Sequence, residues 1–71
     1  MSATNSDRKK WAKVALEAFS KETHMQGEDN ETKACDLIAN LMHLLGPESF
    51  DAALNVARMH YEEEIEEEKF E

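Results

Sequence analysis

The residues best suited to chemistry form one acidic run near the end of the chain. Six of the seven positions from Glu62 to Glu68 are Glu, and only Ile65 interrupts them. Paired carboxylates can bind a divalent cation or move a proton, and a row of carboxylates can bind a basic surface. Adjacent acidic residues also match, by chance, the metal-binding pairs of all-α nucleotide hydrolases. A metal-dependent hydrolase is therefore the weakest of three interpretations of this run.

The rest of the sequence gives little support for catalysis or a metal site. Neither Cys-x-x-Cys nor His-x-x-x-His spacing occurs among the residues that could bind a metal, which are His24, Cys35, His43 and His60. Ser20 and Ser49 have no base in an evident position, and no glycine-rich phosphate loop is present. We therefore predict no enzyme, no catalytic residue, no metal ligand and no cofactor.

The acidic run lowers local stability, which suggests a role in binding. Residues four apart, such as Glu62 and Glu66, are like-charge neighbours on a helix, and their charge lies at the unfavourable end of the helix dipole. Such a row can imitate nucleic-acid phosphates and compete for the Lys and Arg that hold them. We predict contact with a protein partner that has a basic surface, through Glu62, Glu63, Glu66, Glu67 and Asp51.

A competing interpretation treats the acidic run as a solvated helix end. The contact would then come from the basic face of the first helix, around Lys9, Lys13 and Lys21. Charge is distributed accordingly: residues 1–27 carry a net charge of +2, residues 28–61 carry -4 and residues 62–71 carry -6, which gives -8 for the chain. This overall field repels phosphate, so we predict no direct contact with nucleic acid.

The composition predicts a small cytoplasmic protein. The 71 residues allow one domain, spanning residues 1–71, and a single Cys fits a reducing compartment. No run approaches the ~20 apolar residues of a membrane span, and the N-terminus lacks the apolar core of a signal peptide. We expect no membrane partner.

Hydrophobic periodicity predicts an all-α fold, a small three-helix bundle with helices at about 7–22, 31–45 and 49–66 and an acidic tail at 62–71. Thr4, Asn5 or Ser6 can cap the first helix, Asp29 or Asn30 the second, and Ser49 the third. Gly46 and Pro47 end the second helix. Some 17 side chains form the expected core. In the first helix they lie on the side of Trp11, Val14, Ala15, Ala18 and Phe19, and in the third along Phe50, Ala53, Leu54, Ala57, Tyr61 and Ile65.

The third helix has a second apolar stripe that faces away from Phe50. It consists of Ala52, Val56 and Met59, with Phe70 added if the helix continues. A domain of this size is marginally stable alone. We therefore expect a homodimer or an obligate partner complex, with the dimer interface at Ala52, Val56 and Met59.

Three segments resemble a group of small uncharacterised acidic helical proteins of bacteria, plasmids and phages. They are D-L-I-A-N-L-M-H at 36–43, F-D-A-A-L at 50–54 and A-R-M-H-Y at 57–61. The resemblance covers about residues 30–64 and, more loosely, 8–20. Asn40 replaces the Asp found in the group, and Gly46-Pro47 makes a shorter connection. The resemblance implies a mobile-element origin, and small acidic proteins of that origin often inhibit host defence, as anti-CRISPR and anti-restriction proteins do.

Together these features predict a non-enzymatic acidic helical binding protein. The first interpretation is a phage or mobile-element inhibitor that blocks a basic, nucleic-acid-binding surface of a host defence protein. The alternative is a structural or regulatory helical homodimer whose acidic tail is only a solvated face.

Overall fold

A computed structural model describes residues 3–69 and contains three helices: α1 (Asn5–Glu22), α2 (Asn30–Leu45) and α3 (Pro47–Lys69). Helices make up 85% of this part of the chain, and no strand occurs within it. The predicted all-α three-helix fold is confirmed. Phe70 and Glu71, which belong to the predicted acidic tail and second stripe, lie outside the described residues.

Helix α1 begins with a capping box. The Thr4 hydroxyl accepts a hydrogen bond from the Asp7 N–H at 3.1 Å, and the Asp7 carboxylate accepts one from the Thr4 N–H at 3.2 Å. These two bonds satisfy backbone donors that have no partner within the helix. Thr4 is therefore the cap among the three predicted candidates, and the helix starts two residues before the predicted Asp7.

Helix α1 ends in a Schellman motif with His24 in the position usually taken by Gly. The Met25 N–H donates to the Ser20 carbonyl at 2.8 Å, and the His24 N–H donates to the Lys21 carbonyl at 3.4 Å. His24 has a φ of 59°, in the left-handed region that side chains with a Cβ disfavour. This strained turn reverses the chain toward α2.

Helix α2 has the predicted cap and the predicted end. The Asp29 carboxylate accepts a hydrogen bond from the Thr32 N–H at 2.8 Å. At the other end, the Gly46 N–H donates to the Met42 carbonyl at 2.9 Å, with Gly46 at φ 82° and ψ 160°. Only glycine adopts this conformation readily.

The prediction that α3 begins near Ser49 is wrong by two residues. The helix starts at Pro47, and the Gly46 carbonyl accepts its first helical hydrogen bond, from the Phe50 N–H at 3.0 Å. Proline suits this first position because its φ is already helical and no N–H is required there. Gly46 thus caps the end of α2 and the start of α3.

The expected core is only half-buried within residues 3–69. Only Ser20 and Lys33 are buried, and no apolar side chain is. Lys33 lies on the same side of α2 as the half-buried Leu37 and Leu41, so its aliphatic stem occupies a position expected for an apolar residue. The inward side of α1 carries Leu16 and Phe19, while Trp11 and Val14 remain 60% and 69% exposed. The predicted inward face of α1 is therefore wrong for Trp11, Val14, Ala15 and Ala18.

The helices form an open arrangement that measures 40 × 30 × 19 Å. Its accessible surface is 6020 Å², whereas a compact monomer of 8.1 kDa exposes about 4,500 Å². The radius of gyration is 14.0 Å, compared with about 11 Å for a compact domain of this length. The exposed large apolar side chains include members of the expected core, such as Trp11, Val14, Leu54 and Tyr61. Within residues 3–69, no helix combines the length and the apolar character needed to cross a bilayer.

Candidate protein-binding surface

The acidic run is divided between two sides of α3, and one side contacts α1. Glu64 and Glu68, one helical turn apart, face the first turn of α1. The Glu68 carboxylate accepts a hydrogen bond from the Asn5 N–H at 2.7 Å, and Glu64 lies 3.3 Å from the Arg8 guanidinium, measured from Oε2 to Nε. The Asn5 side-chain amide also donates to the Glu64 carbonyl at 3.2 Å.

These contacts stabilise the Glu64 and Glu68 carboxylates, whose negative charge would be unfavourable if α3 stood alone. The Asn5 N–H is one of the first donors of α1, which have no partner inside that helix. A helix N-terminus carries partial positive charge, so the Glu68 carboxylate is stabilised there although it lies at the unfavourable end of its own helix. Two of the six Glu residues therefore hold α1 and α3 together.

The remaining four Glu residues lie on the outer side of α3. Together with Met59 they line one shallow and nearly flat surface, called the acidic groove below, and all of them are exposed: Glu62, Glu63, Glu66 and Glu67. The Lys69 ammonium lies 3.8 Å from Glu66, and both side chains are well exposed. An exposed pair of this kind contributes little stability, so it leaves the groove strongly acidic.

The other predicted residues lie farther back along α3. Asp51 is exposed, but it precedes Glu62 by eleven residues, or about 16 Å along the axis, and does not line the groove. Val56 and Met59 are 51% and 60% exposed, and Ala52 is exposed as well. Since Met59 also lines the acidic groove, the predicted dimer stripe and the predicted partner site form one continuous surface.

A second groove lies on α1, where Val14 and Ala18 of the predicted inward face lie beside Lys13 and Lys21 of the predicted basic face. Its lining combines apolar and charged side chains: Lys10, Lys13, Val14, Glu17, Ala18 and Lys21. Lys13 and Glu17 form an exposed ion pair at 3.9 Å. Lys9, part of the predicted basic face, lies instead in the groove between α1 and α3, beside Tyr61 and Ile65. The spacing of the lysines was visible in the sequence, but the exposure of the apolar residues between them was not.

These surfaces offer charged and apolar side chains, which suit ionic and apolar contacts with another molecule. Within residues 3–69, no three His, Cys, Asp or Glu side chains converge to hold a metal ion. Comparison with protein-family models, with curated proteins and with solved structures finds no match for this chain.

Proposed function

We propose that this chain is a non-enzymatic binding protein, encoded by a phage or another mobile element, that acts in the bacterial cytoplasm. Its acidic groove binds the basic surface of a host defence protein and blocks nucleic acid from that surface. Anti-CRISPR proteins belong to this class. The proposal combines the resemblance noted in the sequence with the arrangement of the acidic residues on α3.

The observation that carries the proposal is the division of the acidic run. Glu64 and Glu68 contact α1, and the other four carboxylates are left exposed on one side of α3. Four like charges on a single helix side repel one another, and no contact within α3 compensates them fully. A partner rich in Lys and Arg would remove this repulsion and release the counterions of both surfaces.

Met59 adds an apolar contact to the ionic one. It lies beside the four Glu residues and is 60% exposed. Ionic contacts set the rate and selectivity of association, whereas burial of apolar surface contributes more of the affinity. A partner surface that fits this groove is therefore basic with an apolar patch at one end.

Affinity capture tests this proposal. Immobilised wild-type protein is incubated with a bacterial lysate, in parallel with a variant in which Glu62, Glu63, Glu66 and Glu67 are changed to Gln. We expect wild type to capture a nucleic-acid-binding protein that the variant loses and that rising salt releases. The captured protein, once purified, should then lose its nucleic acid when wild-type chain is added.

A matched control changes the same number of charges elsewhere, at the exposed residues Glu22, Glu28, Glu31 and Glu48. This variant should capture the same protein as wild type. Equal capture by wild type and the groove variant would refute the acidic groove as the binding site. Retention of nucleic acid by the captured protein in the presence of the chain would refute the blocking mechanism.

A second candidate function is a structural or regulatory helical homodimer. The exposure of large apolar side chains on all three helices supports it, with Trp11, Leu44 and Met59 as examples. In this case the acidic groove would serve the dimer or solvation, and no host protein would depend on it.

A further inference from the structure

Two exposed strips on this chain have opposite charge and similar length. The lysine strip on α1 consists of Lys10, Lys13, Val14, Glu17, Ala18 and Lys21, with Trp11 beside it. The acidic strip on α3 consists of Val56, Met59, Glu62, Glu63, Glu66 and Glu67. Each strip runs over eleven residue steps of helix, or about 16 Å.

Both strips pair apolar side chains with charge of one dominant sign. Three Lys and the interspersed Glu17 give the groove on α1 a net charge of +2, and four Glu give the groove on α3 a net charge of -4. The apolar members remain accessible, with Val14 at 69% and Met59 at 60% exposed. Contact between such strips would bury apolar surface and bring opposite charges together.

The exposed area leaves room for a partner to cover apolar surface. The chain exposes about 1,500 Å² more than a compact monomer of its mass. Part of this excess lies outside the two strips, at Ile38, Leu44 and Leu45 of α2. The excess is therefore an upper limit on the surface that each protomer can bury in contact between the strips.

We propose that a second copy of this chain covers both strips. The lysine strip of one protomer lies on the acidic strip of its partner, and reciprocal pairing gives two such contacts in a homodimer. This arrangement differs from a dimer in which the two α3 stripes pack on each other, because parallel packing of those stripes places the acidic residues of both protomers side by side.

The proposed dimer has a consequence for binding of a basic target. Glu62, Glu63, Glu66 and Glu67 contact the partner protomer's lysine strip in the dimer, so a target must compete with that strip for them. Self-association therefore acts as an internal competitor. This consequence rests on the proposed function, whereas the dimer does not.

Charge reversal on each strip tests the pairing. The lysine-strip variant carries Lys10→Glu with Lys13→Glu, and the acidic-strip variant carries Glu62→Lys with Glu66→Lys. In sedimentation equilibrium at ~100 µM, we expect twice the 8.1 kDa chain mass for wild type and one chain mass for each variant alone. An equimolar mixture of the two variants should recover the double mass, because both contacts then pair opposite charges again.

A control variant separates the strip from the general effect of charge. Glu22→Lys with Glu28→Lys makes the same change in net charge at exposed positions outside the acidic strip, and it should remain dimeric. Circular dichroism checks that every variant keeps its helices. If charge reversal lowers helicity, the neutral changes Lys10→Gln with Lys13→Gln and Glu62→Gln with Glu66→Gln replace it, and each should weaken the dimer by at least about threefold.

Three outcomes would overturn the proposal. A wild-type protein of one chain mass at ~100 µM excludes a dimer of this strength. A lysine-strip variant that remains dimeric excludes α1 from the interface and leaves packing of α3 on α3. A mixture of folded variants that stays monomeric excludes the reciprocal pairing of the two strips.

Discussion

The Arg8 guanidinium lies 3.3 Å from the Glu64 carboxylate and joins the first turn of α1 to the last turns of α3. Arg8 also donates a hydrogen bond to the Asn5 side-chain carbonyl at 2.8 Å, and Asn5 contacts both Glu64 and Glu68. The two side chains of the ion pair are about a quarter exposed, so solvent screens them only in part. In a chain with little apolar burial, this polar contact is a main tie between the two helices.

The change Arg8→Ala should therefore loosen the end of α3. We expect the free energy of unfolding to fall by about 1 kcal/mol, because a half-buried ion pair and a hydrogen bond are lost. Amide hydrogen exchange should accelerate at residues 62–69. Lys13→Ala is the control: it removes an exposed i,i+4 pair with Glu17 and should cost only a few tenths of a kcal/mol. Equal effects of the two changes would contradict the role assigned to Arg8.

Any residue other than glycine at position 46 should destabilise the chain. Its φ of 82° and ψ of 160° belong to a region that only glycine occupies readily, although an added Cβ would meet no atom within 4 Å. Gly46→Ala should thus destabilise the chain by about 1–3 kcal/mol through backbone strain alone. Gly27, which has equal space and no positive φ, is the control. Gly27→Ala should be neutral or slightly stabilising in thermal unfolding, and a comparable loss there would contradict this explanation.

The helices could be predicted from the sequence because their ends are encoded locally. Thr4, Asp29 and Gly46 each act within a few residues, through hydrogen bonds that the sequence spacing alone defines. The start of α3 was predicted too late because Ser49 is also a good cap. The direct passage from Gly46 to Pro47 leaves no loop for that serine to cap.

The inward sides of the helices could not be predicted in the same way. The apolar side of α1 is broad. Hydrophobic periodicity predicts how wide this side is, but it does not predict which part of it faces another helix. The polar contacts of Asn5 and Arg8 with α3 fix the rotation of α1, which leaves Trp11 and Val14 outside. The same spacing that groups Glu62, Glu63, Glu66 and Glu67 on one side was visible in the sequence, whereas the docking of Glu64 and Glu68 on α1 was not. The role of the four outer residues stays a prediction.

His24 offers a site at which the chain can be stabilised. Its φ of 59° places an L-residue in the left-handed conformation, at a cost of about 1–2 kcal/mol. Glycine removes this cost, but its greater freedom in the unfolded chain offsets part of the gain. His24→Gly should therefore raise the free energy of unfolding by about 0.5–1 kcal/mol. His24→Ala removes the imidazole and keeps the strain, and it should give no gain in denaturant unfolding. A gain in both variants would assign the effect to the imidazole.

Asp29 should make the stability of α2 depend on pH in acid. Hydrogen bonds from the side chain and then the backbone N–H of Thr32 hold the pKa of Asp29 below its ordinary value. A carboxyl group with a lowered folded-state pKa stabilises the fold above the ~3.9 of a free Asp, and this contribution is lost as pH falls through the folded-state value. Asp29→Asn keeps a capping oxygen and does not titrate.

The stability difference between wild type and Asp29→Asn should therefore narrow or reverse in favour of Asn as pH falls from 5 toward 2. Thermal unfolding of both proteins measures this difference, and NMR titration of the Asp29 carboxyl carbon measures the pKa itself. A constant difference across this range, or a pKa at or above that of a free Asp, would contradict the proposed cap.

The last prediction separates repulsion within α3 from attraction between protomers. Glu62/Glu66 and Glu63/Glu67 are i,i+4 like-charge pairs, and each costs about 0.2–0.5 kcal/mol. Changing all four to Gln removes both pairs and keeps side-chain volume. At ~1 µM, a hundredfold below the concentration at which the dimer is expected, the variant should melt a few degrees above wild type, because ~0.5–1 kcal/mol corresponds to that shift in a domain of this size.

At ~100 µM the order should reverse if the lysine strip pairs with the acidic strip. Dimer formation stabilises the folded state by mass action, so the wild-type melting temperature rises with protein concentration. The variant has lost the carboxylates that meet the partner's lysines, so its melting temperature should change little over the same hundredfold range. Scanning calorimetry at both concentrations measures the crossing. If the variant melts above wild type at both concentrations, repulsion within α3 alone explains the difference. The wild type would then gain no stability from a second copy, which would count against the pairing of the two strips.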